Sequence, residues 1–205
     1  HIPARQPSLT HEVAFSGEHA DEIIKQIRGA VVIDQDILKK NLKDLETWLD
    51  LAIRYKQAGD LKGAIEIWKY LNEKFPQQST SAFNLGVIYQ QNLKEYDLSE
   101  RNYLEAIRRN PKFPLNYLGL HELYRYSYKQ NTTAAVDSLL QGMKEISDDA
   151  NMPIALAAYY RDDKKDYARS IQYIQMAVDV LKRTEGDTKK IQALEGESER
   201  LDKLQ

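Results

Sequence analysis

Trp48-Leu49-Asp50-Leu51-Ala52-Ile53-Arg54-Tyr55, followed by Ala64, Trp68 and Pro76, is the stretch that decides the fold. Leu45, Trp48, Leu49, Ala52 and Ile53 recur at intervals of three and four, as the buried stripe of a helix requires. Gly59-Asp60 interrupts the pattern, and a second apolar run through Ala64 and Trp68 ends at Pro76. The spacing predicts a helix A over 45–57, a tight turn, and a helix B over 60–74.

The unit recurs. Ala82-x-x-Leu85-Gly86-x-x-Tyr89 precedes Ser99, Tyr103, Ala106 and Pro111. Leu51 to Leu85 is 34 residues and Pro76 to Pro111 is 35, so one residue has been added between the helices, around Gln91–Lys94. Such an insertion costs little, because loop-closure entropy grows slowly with length. Tyr117-x-x-Leu120-His121-x-x-Tyr124 precedes Ala135, Leu139 and Gly142, with two residues added in or near Tyr128–Thr133. Leu156-Ala157-x-x-Tyr160 precedes Ser170, Ile174 and Ala177; its first helix starts after Asp148-Asp149, with Pro153 in the first turn.

A period of 34 to 36 residues with these small and aromatic positions resembles the tetratricopeptide repeat. The resemblance spans about 45–184 and is strongest in the first two units. It implies an all-α fold, a right-handed superhelical solenoid of helix–turn–helix repeats over 45–78, 79–113, 114–149 and 150–184. In that family Trp48 fills the gap between paired helices and Ala52 lets them approach. Three features depart from the pattern: Trp is lost after the first repeat, Pro is missing at the end of repeats three and four, and His121 stands where the family has a small residue. The family's equivalents of His121 and Gly142 face each other, so a large-for-small exchange met by a small-for-large one is the packing expectation.

The ends read differently. Residues 1–17 hold two Pro, two His and no helical period, an extended leader for which disorder is an open alternative. Residues 18–44 predict extra N-terminal helices: an amphipathic one over 18–29, with Ile23, Ile24 and Ile27 as its apolar face and Gly29 as its stop, then one capped by Asp34 or Asp36 running through Ile37, Leu38, Leu42 and Leu45. Over 185–205, Asp187 is a candidate cap, and Ile191, Leu194, Leu201 and Leu204 share a face. A capping helix that closes the last repeat explains this segment. A coiled-coil contact is the alternative, weakened by Gly196 and Ser198. The first residue is His1 rather than Met, which reads as a processed or trimmed chain whose upstream segment could have been a signal peptide, an anchor or a tag.

Chemistry is sparse. The formal charge of -2 argues against a general nucleic-acid binder. No apolar run approaches the roughly 18 residues of a membrane span. Cys is absent, which excludes disulfides and thiolate catalysis. His1, His11, His19 and His121 are scattered, and Arg125 stands where a zinc-protease signature begun by His121-Glu122 needs its second His. Asp148-Asp149 and Asp162-Asp163 fall at helix ends, where Asp caps amides. The expectation is a chain with no catalytic role, no cofactor and no metal.

What remains is binding. The resemblance implies that the A helices line a concave groove, and its inward positions carry over residue by residue. Repeat one gives Leu49, Ile53, Lys56 and Gln57, and repeat two gives Phe83, Val87, Gln90 and Gln91 with Asn84 beside them. Repeat three gives Leu118, Glu122, Arg125 and Tyr126, and repeat four gives Ile154, Ala158, Arg161 and Asp162. An apolar floor ringed by amides and Arg suits an extended or helical peptide, with Phe83, Tyr126 and Arg125 as anchors. The chain's own Ile23, Ile24 and Ile27 are an alternative occupant. The clamp with which some family members grip a C-terminal carboxylate is absent: its Lys and Asn positions in the first repeat are Leu49 and Ile53 here, its Lys and Arg positions in the third are Leu115 and Gly119, and only the Asn of the second, Asn84, survives. The implied function is a scaffold for a protein or peptide partner. A membrane-tethered or self-associating envelope protein and a regulatory subunit of an enzyme complex are the alternatives. Overall resemblance to bacterial repeat proteins implies a bacterial protein, with the location left open between the cytoplasm and a membrane-anchored extracytoplasmic face.

Overall fold

The first helix pair shows how local chemistry sets the repeat. In the computed structural model, which describes residues 4–130 and 132–204, α2 (Leu45–Ala58) begins where the Asp44 side chain accepts a hydrogen bond from the Thr47 N–H. It ends at Gly59, whose φ of 83° is open to glycine at little cost. Asp60 then caps α3 (Leu61–Lys74) by accepting from the Gly63 N–H. Trp48, Ala52, Ala64 and Trp68 are fully buried between and beneath the two helices.

The chain divides into two compact units, His1–Arg109 and Asn110–Gln205. The first holds α1 (Asp21–Lys40), α2, α3, α4 (Thr80–Ile88) and α5 (Tyr96–Arg109). The second holds α6 (Pro114–Tyr126), α7 (Ala134–Glu145), α8 (Asn151–Tyr159), α9 (Tyr167–Arg183) and α10 (Thr188–Asp202). Within each unit, consecutive helices pack on one another as antiparallel neighbours. Four of the helix starts carry Asp caps, at Asp44, Asp60, Asp166 and Asp187.

The one-residue insertion of repeat two is not a loop. It is absorbed as a wider π turn, Tyr89–Leu93, that continues α4. Repeat four does the same, with a π turn at Tyr160–Lys164 after α8. In each case a lysine then takes the left-handed conformation that Gly59 supplies in repeat one: Lys94 at φ 59° and Lys165 at φ 54°. A side chain pays for that conformation where glycine does not. After allowance for glycine's looser unfolded state, Lys94→Gly and Lys165→Gly should each stabilise the fold by about 0.5 kcal/mol, measured by urea unfolding.

The N-terminal expectations need correction. One helix, α1, replaces the two expected over 18–44, and Gly29 lies inside it rather than ending it. Its buried stripe is Val31, Asp34, Gln35 and Leu38, while Ile23 stays 44% exposed. A single mid-helix glycine weakens a helix without breaking it when flanking residues dock. Here the docking includes Arg54 Nε donating to Asp34 at 2.5 Å and Gln35 Nε2 donating to the Tyr55 hydroxyl at 3.1 Å. Burial raises the Asp34 carboxyl above its ordinary range, an effect that the Arg54 ion pair offsets in part.

The leader is ordered over its described part. Residues 4–16 form an extended strap on α2 and α3, with Pro7 and Val13 buried. Its backbone is held by specific partners: Ser16 N–H donates to the Ala58 carbonyl at 2.9 Å, and the Tyr55 hydroxyl and Gln35 both donate to the His11 carbonyl. His1 and Asn131, which fell in the predicted leader and the repeat-three insertion, lie outside the described residues.

The second unit ends on α10. Leu194 and Leu201 are buried against the α9 side, Ile191 is half-buried, and Leu204 projects at 62% exposure. Lys182 and Glu195 pair across α9 and α10 at 2.7 Å. The segment closes the apolar side of the last helix pair, as a capping helix does.

Candidate partner-binding surfaces

In the first unit the candidate residues stand at equivalent places on α2 and α4. Ile53 is 39% exposed, and Leu49, Phe83 and Val87 are half-buried. Phe83 leans on the ring of Tyr103 at 5.7 Å, which fixes its orientation. Lys56 is half-buried, and burial holds its ammonium below the ordinary lysine range. Two polar members are engaged within the chain. Gln90 is buried and accepts a hydrogen bond from the Tyr103 hydroxyl at 2.9 Å, while Asn84 donates to the Thr80 carbonyl of its own helix. The apolar part of this surface is Leu49, Ile53, Phe83 and Val87, with Gln57 and Gln91 exposed beside it.

In the second unit the candidate cations are engaged by carboxylates. Arg125 is expected to reach outward, yet its side chain is only 7% exposed. It makes a two-pronged ion pair with Asp163, with both bonds at 2.8 Å. Its guanidinium also lies 4.8 Å from the Tyr126 ring centre and 5.7 Å from that of Tyr159. Such paired, stacked geometry is the form in which arginine is most constrained. Arg161 is bound by Asp162 and by Glu197 of α10. Leu118 is half-buried, Glu122 exposed, and Tyr126 59% exposed. With both arginines neutralised, this face offers no free cation from Arg125 or Arg161 to an anionic partner.

His121 has a structural task. Ser99 Oγ donates to the Gly86 carbonyl at 2.8 Å, and Ser170 Oγ donates to the Ala157 carbonyl at 2.9 Å, tying helix B to helix A in repeats two and four. Ala135 occupies the equivalent serine position in repeat three and has no hydroxyl. There His121 reaches across instead, its Nδ1 2.7 Å from the Ala135 carbonyl. A carbonyl only accepts, so Nδ1 carries the proton. Burial lowers the imidazole's affinity for a second proton. The expected pairing of His121 with Gly142 is not what the structure has. A Cβ on Gly142 would stand 2.7 Å from the Tyr117 ring and 2.5 Å from Met152 Sδ, so Gly142 makes room for Tyr117.

Two features escaped the sequence reading. One is Asp60, 6% exposed, which joins the α3 cap to the strap by accepting from His11 Nε2 at 2.8 Å and from the Ala14 N–H at 3.1 Å. The other is a cleft of about 500 Å³ in the second unit, lined by Thr133, Val136, Tyr159, Tyr160, Lys164 and Arg169 among others. Its wall is aromatic and cationic: Arg169 sits over Tyr160 at 5.3 Å, and Tyr160 stacks on Tyr173 at 5.5 Å. Its trace in the sequence is the spacing from Ala157 to Ser170, 13 residues against 12 from Ala52 to Ala64. Among the described residues no cluster of His, Cys, Asp and Glu could hold a metal ion, and no helix is long and apolar enough to cross a membrane.

Comparison with known proteins agrees on architecture. No protein-family model matches the sequence, and no curated protein matches it. Solved structures do. The crystal structure of MamA superposes with a TM-score of 0.59 at 16% identity, covering 83% of this chain and 99% of that one. A MamA RS-1 double mutant gives 0.54 at 15% identity, covering 83% and 100%. MamA is a tetratricopeptide-repeat protein, and likeness at this identity speaks to fold alone. The chain has the tetratricopeptide-repeat fold.

Proposed function

We propose that this chain is a non-catalytic scaffold that holds a protein or peptide partner against the A helices of its first unit. The observation that carries the reading is the apolar strip Leu49, Ile53, Phe83 and Val87, which remains partly open to solvent at equivalent positions of α2 and α4, the A helices of two successive repeats. Repeat stacks display such helices to partners, and apolar side chains there act as anchors. The strip carries no cation except the half-buried Lys56, so the preferred ligand is an apolar or amphipathic segment, not an acidic tail. On the second unit, taken by itself, Leu118 is half-buried and Tyr126 exposed, and Arg125 and Arg161 are held in ion pairs.

Affinity capture from the source organism tests this, comparing the natural chain with Ile53→Asp and Val87→Asp. Both positions are partly exposed, so melting should shift by no more than about 0.5–1 kcal/mol in stability. Retention of the captured partner should fall at least about tenfold, equivalent to about 1.4 kcal/mol. Undiminished capture by both variants sinks the reading.

A further inference from the structure

We propose that His121 is an acid-sensitive latch between α6 and α7, which holds repeat three closed at neutral pH and loosens it in mild acid. The latch is independent of the partner-binding reading, which uses α2 and α4.

In repeats two and four the tie between paired helices is a serine hydroxyl, Ser99 to the Gly86 carbonyl and Ser170 to the Ala157 carbonyl. A hydroxyl does not titrate between about pH 5 and 8, whereas an imidazole does. Repeat three uses the imidazole, with His121 Nδ1 2.7 Å from the Ala135 carbonyl. Ser138 Oγ donates to the same carbonyl at 3.0 Å. His121 is 2% exposed, and its Nε2 is buried with no hydrogen-bond partner among the described residues. With the proton on Nδ1, Nε2 is a bare lone pair. A second proton there creates a charged N–H that nothing accepts, in a site closed to water.

The groups around the ring do not supply that acceptor. On its own helix, Arg125 stands one turn on, with its guanidinium paired to Asp163 by two bonds of 2.8 Å and 3.7 Å from Asp162. Glu122 is exposed. From α8 the neighbour is Tyr159, whose ring centre lies 6.2 Å away with its plane steeply inclined, and Lys164 sits 5.4 Å from that ring. On α7, Asp137 is exposed and takes the Thr133 hydroxyl at 2.6 Å, while Lys144 and Glu145 are exposed at the far end. Burial is the main force holding the imidazole below its ordinary value of 6.5, and Arg125 acts in the same sense. The Ala135 carbonyl and Asp163 oppose them and are outweighed.

Opening repeat three returns the ring to water, where it takes a proton at the ordinary value. Closure is therefore fully supported above that value and loses support as pH falls through it toward the lower folded one. Tyr159 lies beside both His121 and Arg125, so a shift of α6 also disturbs the Arg125–Asp163 pair.

His121 is the only histidine in the second unit, and carboxylates titrate lower, so a mild acid window isolates it. Between about pH 7.5 and 5.5, hydrogen-exchange protection in α6 and α7 should fall about five- to tenfold, after correction for the intrinsic pH dependence of exchange. Protection in α3 of the first unit should hold, because the described histidines there, His11 and His19, are not buried. The ring C–H resonance of His121 should titrate below the ordinary histidine value. His121→Ala/Ala135→Ser rebuilds the Ala157–Ser170 tie of repeat four and should abolish the fall in protection. His121→Asn keeps a donor near the Nδ1 place, cannot titrate, and should abolish it as well. Unchanged protection in α6 and α7 across this range overturns the proposal. So does a fall that persists in a folded variant, an equal fall in α3, or a His121 resonance that titrates at the ordinary value. Should neither variant fold, the pH series and the resonance of the natural chain decide it.

Discussion

Asp60→Ala should destabilise the first unit by about 3 kcal/mol and release the strap. Two losses add. The N-cap of α3 disappears, with the Gly63 N–H left without its acceptor at 2.9 Å, which costs about 1 kcal/mol. The same carboxylate accepts from His11 Nε2 and from the Ala14 N–H, and both donors lose a charged, buried partner, adding about 1–3 kcal/mol. Asp60→Asn keeps an oxygen for the cap and should recover roughly half, about 1–1.5 kcal/mol. Urea unfolding reads the total. Hydrogen exchange at Ala14 and Ser16 reads the strap alone, and those amides should lose protection before the core of α2 and α3 does. If they stay protected in Asp60→Ala, the strap does not depend on this carboxylate.

Acid should act on the same link. Burial pushes the Asp60 carboxyl up, but the hydrogen bonds from His11, Ala14 and Gly63 outweigh it and hold the group below its ordinary value of 3.8. A carboxyl with a depressed folded value contributes stability that is fully present above its unfolded value and is lost as pH falls through the folded one. Strap protection should therefore survive at neutral and mildly acid pH and fail below the ordinary carboxylate range. The acid-dependent part should be missing in Asp60→Asn.

The repeat was legible because packing at the helix pair uses residues that only fit there. Trp48, Ala52, Ala64 and Trp68 are all fully buried, and their spacing alone fixes two antiparallel helices. The strap was not legible, because it is held by backbone groups: the His11 carbonyl and the Ala14 and Ser16 N–H groups carry no side-chain signature. Gly29 misled for a related reason. Helix-stop rules weigh the local cost of glycine, whereas α1 is held by Val31, Asp34, Gln35 and Leu38 docking on α2. The His121 expectation was a packing exchange with Gly142, whereas Gly142 lies against Tyr117 and Met152 and His121 bonds the Ala135 carbonyl. On the candidate surfaces, position predicted exposure unevenly. Ile53 and Tyr126 remain open, while Gln90, Arg125 and Arg161 turned to partners inside the chain. A long polar side chain can reach such partners, and a repeat alignment does not see them.

Trp48→Ala should be the most damaging single change in the first unit, at about 4 kcal/mol. The side chain is 0% exposed, so its removal opens a cavity that α2 and α3 cannot close without moving their axes. Its ring leans on Tyr70 at 5.2 Å, an aromatic contact worth about 0.5–1.5 kcal/mol beyond area burial. Its indole N–H donates to the Leu42 carbonyl at 3.0 Å, in the turn that leads from α1 into α2. Trp48 thus holds the end of α1 as well as the gap between α2 and α3. Trp48→Phe separates the two tasks. It refills much of the cavity and removes the donor, so it should cost about 1–2 kcal/mol in global unfolding. Hydrogen exchange should then show the greater change at Asn41 and Asp44, whose amides close that turn, than in the middle of α3. Equal losses in the turn and in α3 would mean that the indole serves packing alone.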